Sequence, residues 1–146
     1  MYRSRPVRRP FTARGSLDVY VATALALPLL LLTLFGGLAA LHIAAWSTDV
    51  AFAAQIGSET AALAGGVTPA VSQSVAQSLA DAGLVVQPTV VGPLPAVPWG
   101  QPMTITVAVR VPLHGFPFTL LGLGNTTVQF GEQEVVDSEA VAPAAP

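Results

Sequence analysis

Neither cysteine nor lysine occurs in the 146 residues, and only 10% of them are charged. Lack of cysteine excludes a disulfide framework and a thiolate metal site; an oxidising compartment is allowed but not indicated. Stability has to come from packing and from assembly. With 52% hydrophobic residues, the chain is too apolar for an ordinary soluble domain of its size, so part of it is expected to meet lipid. Positive charge is almost absent beyond the start: Arg3, Arg5, Arg8, Arg9 and Arg14 precede the first acid, Asp18, and only Arg110 follows it. The formal net charge of −2 therefore hides a basic start and an acidic remainder. That asymmetry reads as membrane orientation rather than nucleic-acid binding, because there is no second basic patch.

Residues 19–46 hold no charged residue and centre on a leucine run, Leu29-Leu30-Leu31-Leu32. At 1.5 Å per residue the stretch is about 42 Å long, against a hydrocarbon core of about 30 Å. A cleavable secretory signal also has an arginine-rich start and an apolar centre, but its apolar part is only about 7 to 15 residues. A transmembrane anchor over residues 16–46 is the expectation. The positive-inside rule then puts residues 1–15 in the cytoplasm and everything after Trp46 outside, at a cell membrane crossed once. Pro28 removes one helical hydrogen bond, so a bend is expected there. Gly36 and Gly37 offer a bare patch for another helix, or reflect the tolerance of membrane helices for glycine.

Past Trp46 the pattern stays helical to Ala64, with Phe52, Ile56 and Leu63 within reach of one face. An unbroken helix over residues 17–64 would be about 72 Å long. Gly65-Gly66 ends it, and Thr68-Pro69 signals an N-cap and first position for a second helix. Val71, Val75, Leu79 and Ala82 give that helix its face, and Gly83 its C-terminal cap. Leu84-Val85-Val86 and Val90-Val91 suggest a first strand, interrupted near Pro88. Four prolines make residues 92–102 an extended loop. Residues 103–111 alternate strictly, with Met103, Ile105, Val107, Val109 and Val111 on one side, the clearest strand in the chain. An apolar loop over residues 113–125 and a third strand over residues 126–136 follow. The expected class is α+β: a long helix, a short helix and a small antiparallel sheet of about three strands. The domain occupies residues 47–139, and residues 140–146 are expected to be a disordered tail.

The run Arg14-Gly15-Ser16-Leu17-Asp18-Val19, followed by Ala24-Leu25-Ala26-Leu27-Pro28 and the leucine block, resembles the N-terminus of TadE-like pilus assembly proteins. These are minor pseudopilins of tight-adherence secretion machinery. The resemblance is specific over roughly the first 45 residues and follows the family only in outline beyond them. It implies cleavage by a prepilin-type peptidase between Gly15 and Ser16. It also implies partnership with other pilin subunits and an assembly platform. The family's usual acid positions are held here by Tyr20 and Ala22, which leaves Asp18 as the candidate assembly contact. A carboxylate at the membrane edge is offset by a neighbour's terminal ammonium. Asp18 can equally be a first-turn acid favoured by the helix dipole, and Ser16 a cap.

Catalytic readings find little. His42 and His114 lie far apart, with no cysteine or paired acids nearby, so neither suggests a metal ligand. Glu132, Glu134, Asp137 and Glu139 lack the spacing and glycine of a calcium loop and read as a solvated strand edge. No phosphate loop, nucleophile elbow or dinucleotide fingerprint occurs. The expectation is a structural pilus-assembly subunit that is not an enzyme and carries no cofactor. The alternative is an anchored binding module, with its sheet and its apolar loop from Phe116 to Leu123 as the recognition surface.

Overall fold

A computed structural model describes residues 14–140, with side chains from residue 19 onward. Most of the arginine-rich start and nearly all of the expected tail lie outside the described residues. Helix α1 runs unbroken over Arg14–Ala64, 51 residues, with Pro28 inside it; at 1.5 Å per residue it is about 76 Å long. It is followed by α2 (Pro69–Asp81), β1 (Thr89–Val91), β2 (Pro102–Pro112) and β3 (Thr127–Asp137). The strands form one antiparallel sheet in the order β1-β2-β3. This is the α+β arrangement expected from the sequence. Because α1 starts at Arg14, Ser16 lies inside the helix rather than at its cap. Asp18 lies beyond a first turn that holds no acid.

Both helices end by the same device. The N–H of Gly65 donates to Ala62 O and that of Gly66 to Ala61 O, at 3.3 and 3.0 Å; Gly83 and Leu84 likewise donate to Ala80 O and Leu79 O, at 2.9 and 2.8 Å. Such paired bonds need a left-handed residue after the helix, and Gly65 and Gly83 supply it with φ of 69° and 84°. At the start of α2, the Thr68 hydroxyl accepts from the Val71 N–H, with Pro69 at the first position.

The core lies between α1, α2 and the inward face of the sheet. Val71, Val75 and Leu79 of α2 meet Met103, Ile105, Val107, Val109 and Val111 of β2, all buried. The contribution of α1 differs from the sequence expectation. Its packed face is Val50, Ala53, Ala54, Gly57, Ser58, Ala61 and Ala62, whereas Phe52 and Leu63 are exposed. Two elements press on one helix here, and only small residues allow the approach: a Cβ on Gly57 would lie 2.6 Å from Val75 Cγ2.

The first strand is also shorter than expected, because residues 84–88 have few ladder donors to give. The Leu84 N–H caps α2, the Val86 N–H bonds back to Leu84 O at 2.9 Å, and Pro88 has none. Only Thr89–Val91 pairs, opposite Ala108, Val107 and Thr106. After β3, the chain latches to the end of α1. The Glu139 N–H donates to Ala62 O at 2.9 Å, and the buried Ser138 hydroxyl donates to Val97 O at 2.9 Å.

The loop before β2 folds over that same end. The N–H groups of Ala96 and Val97 both donate to Gly65 O, and Ala96 is held at φ 120°, a region hostile to a side chain. Replacing Ala96 by glycine is expected to stabilise the domain by about 1 kcal/mol, read as a raised denaturant midpoint with unchanged slope.

Candidate functional site

The surface features that stand out all lie on or against α1. Its lower part, residues 19–34, is bare: Tyr20, Leu25, Leu27, Leu29, Leu32 and Leu34 are exposed large hydrophobics with no covering element among the described residues. This helix, near the N-terminus, is long and apolar enough to cross a membrane. Two of its hydroxyls are satisfied within the helix: those of Thr23 and Thr33 donate to Val19 O and Leu29 O, each at 2.8 Å. Pro28 carries no N–H, so the Ala24 carbonyl loses its usual helical donor there. At Gly36 and Gly37 an added Cβ would meet nothing within 4 Å, so the glycine patch faces open space rather than the domain.

Above residue 34 the exposed large hydrophobics of α1 are Leu41, Phe52 and Leu63, and their spacing runs back into the bare segment. Val19, Leu30, Leu41, Phe52 and Leu63 recur every eleven residues and are exposed by 64%, 63%, 69%, 59% and 69%. Eleven residues make just over three helical turns, so successive members are offset by only about 20° and form one stripe. It begins in the bare segment and continues to the last turn of the helix. The sequence groups Phe52 and Leu63 with Ile56 on one face without showing that this face is exposed, although the interval of eleven is visible in it.

Where the domain reaches α1 from the side, the β2–β3 loop covers the helix just above the bare segment. Phe118 and Leu113 are buried against Ala39, with Ile43, Trp46, Leu121 and Val128 around them. Phe118 stacks at a tilt on Trp46, centroids 5.5 Å apart, and meets His42 edge-on at 6.2 Å. His42 Nδ1 pairs with Leu38 O at 2.9 Å, and His114 Nδ1 with Gly124 O at 3.3 Å.

The acids do not converge on a reaction centre. Glu132 and Glu134 sit on the inward side of β3, half-buried, in register with Val107 and Ile105. Inward charge on an edge strand discourages a further strand from pairing. Glu59, Asp137 and Glu139 line a shallow depression of about 430 Å³ beside Leu63. Among the described residues, no three His, Cys, Asp or Glu side chains come together in a way that could hold a metal ion. At the far end of α1, Leu94 and Trp99 are exposed on the loop that folds over Gly65 and Gly66.

Of the residues singled out from sequence, Gly15, Ser16 and Asp18 fall at the start of α1, Pro28 in its bare segment, and Gly36 and Gly37 between Phe35 and Ala39, which the β2–β3 loop touches. They share one helix but form no single pocket. Compared with protein-family models, with curated proteins and with solved structures, the chain gives no match.

Proposed function

We propose that this chain is a membrane-anchored structural subunit of the TadE-like, pseudopilin type. It works in the assembly of a bacterial tight-adherence pilus or secretion apparatus, by packing α1 beside the helices of other subunits. The observation that carries the reading is the stripe Val19, Leu30, Leu41, Phe52, Leu63, which the chain's own domain leaves uncovered. Its lower members lie in the bare segment, where lipid suits them. Phe52 and Leu63 sit beside the domain, where covering each from water is worth about 1.5–3 kcal/mol. A neighbouring helix laid along α1 covers both parts at once, and Gly37, in line with Leu30 and Leu41, lets it approach closely.

The arginines before residue 15 put the N-terminus in the cytoplasm and the domain outside. Cleavage after Gly15 removes all five of those arginines and leaves the Ser16 amine at the membrane edge. Asp18 of one subunit then pairs with the amine of the next and sets the register between helices. In this reading the protein does mechanical rather than chemical work. It needs no cofactor, and its partners are lipid, pilin-type subunits, the assembly platform and the peptidase.

Intact mass with N-terminal sequencing, on chain extracted from membranes that contain the prepilin peptidase, tests the processing step. A mature start at Ser16 is expected. An uncut Met1 terminus contradicts that step, and a start near Ala45 contradicts the anchor as well. The packing step has its own variant. Phe52→Asp is expected to leave domain stability within about 0.5 kcal/mol, because the side chain is exposed. It should nonetheless abolish co-purification with neighbouring subunits after cross-linking in the membrane.

A second reading, an anchored binding module outside any filament, draws on Leu94 and Trp99, exposed together at the end of α1 remote from the bare segment. It expects Trp99→Ala to abolish binding to a surface partner while helix cross-linking persists.

A further inference from the structure

The β2–β3 loop reaches a depth at which water is absent if α1 crosses a bilayer. Phe116 meets Phe35 edge-on, ring centroids 5.1 Å apart. Counting a hydrocarbon core of about 30 Å from Val19 at 1.5 Å per residue, its outer boundary falls near residue 39. Phe35 is then about 6 Å inside it. A bilayer that began later along the helix would put Phe35 deeper. One that began earlier would draw Asp18 and Arg14 into hydrocarbon, which is costly. A tilt of about 20° shortens the climb from Val19 to Phe35 by only about 1–2 Å.

Two independent features of the loop suit that depth. No charged residue occurs between Arg110 and Glu132, while Phe116 and Leu120 project with 62% and 63% exposure. Its backbone is also folded on itself: Thr119 N–H donates to Gly115 O, Leu121 to Pro117 O, Gly122 to Thr119 O, Leu123 to Phe118 O and Thr126 to Leu123 O. The Thr119 hydroxyl donates to Gly115 O at 3.0 Å. Irregular backbone is tolerated at a membrane only where its polar groups find partners and protein shields it, and here α1 provides the wall. We propose that residues 113–126 form a second membrane contact, inserting Phe116 and Leu120 beside α1 into the acyl boundary of the leaflet on the domain's side. The occupant of this surface is lipid. Such a contact fixes the rotation of α1 about its axis, and with it the direction in which the eleven-residue stripe faces.

The inference rests on α1 crossing the bilayer, and the test separates the two claims. Since the chain has no cysteine, Phe116→Cys and Leu120→Cys each give a single site for a nitroxide on the full chain, at one copy per phosphatidylcholine/phosphatidylglycerol nanodisc. Collisions with oxygen, which concentrates in lipid, are compared with collisions with a water-soluble nickel chelate. Leu30→Cys in the bare segment and Leu94→Cys at the far end of the domain serve as references. Nickel accessibility at 116 and 120 is expected to be several-fold lower than at 94 and to approach that at 30. Leu120→Cys leaves the contact between Phe35 and Phe116 intact, so it reports even if the first variant shifts the loop. If 116 and 120 resemble 94 while 30 stays shielded, the loop is in water and this inference is overturned. If 30 also resembles 94, the membrane crossing itself fails.

Discussion

Replacing Gly57 by leucine should strongly destabilise the domain while leaving the anchor in the membrane. Gly57 is buried where α1 and α2 come closest, and a first carbon there already lies 2.6 Å from Val75 Cγ2, with Val71 and Val107 close behind. Val75 is fully buried and cannot turn out into solvent. Overpacking of this kind typically costs about 1–3 kcal/mol, and four added carbons at the point of contact should reach about 3 kcal/mol or more. A small domain is stable by only about 5–15 kcal/mol, so that is a large share. Gly57→Ala separates steric cost from helix propensity. It gains about 1 kcal/mol as a helix former and should still lose net stability. Limited proteolysis of the full chain in nanodiscs reads both variants: the leucine variant should be cut many-fold faster within residues 47–139, with residues 19–46 still protected.

The second large effect concerns the bare segment. Leu27→Asp combined with Leu34→Asp breaks the uncharged run so that no long stretch remains below the domain. Each acid near the middle of a span costs about 3 kcal/mol, so the pair should shift partitioning by about 6 kcal/mol, roughly ten-thousand-fold. The variant should be released by alkaline carbonate. Phe52→Asp with Leu63→Asp makes the same change in charge at two equally exposed positions of the same helix, beside the domain, and should stay in the membrane pellet. If both pairs behave alike, the lower segment has no special relation to lipid.

What could be read from the sequence was whatever depends on short-range chemistry. Strict alternation from Met103 to Val111 survives in the structure as a strand with those five side chains buried. Gly65, Thr68, Pro69 and Gly83 announced helix ends that their backbone angles and hydrogen bonds realise. The orientation of α1 was not legible, because residues 50–63 are apolar on more than one face. The usual rule turns large side chains inward, but here Ala53, Ala54, Gly57 and Ala61 face the core so that α2 and the sheet can both draw close. The length of β1 was hidden for a related reason: Leu84 and Val86 look like strand residues, yet their N–H groups are committed elsewhere. For the apolar loop, sequence alone could not say which of its aromatics packs inside. Phe118 fills the corner under Trp46 whereas Phe116, two residues earlier, points out along the span, a division set by where the loop lands on α1. The eleven-residue recurrence was present all along, but its meaning required knowing that the domain leaves that side of the helix uncovered.

The central claim is that α1 is laid against other helices along its exposed stripe, and a photoreactive residue in place of Phe52, in intact cells, tests it most directly. The account predicts adducts whose partner peptides lie in the apolar helix of a neighbouring membrane subunit, this chain's own copies included. Only unlinked chain, or adducts confined to globular domains with no such helix, would contradict it.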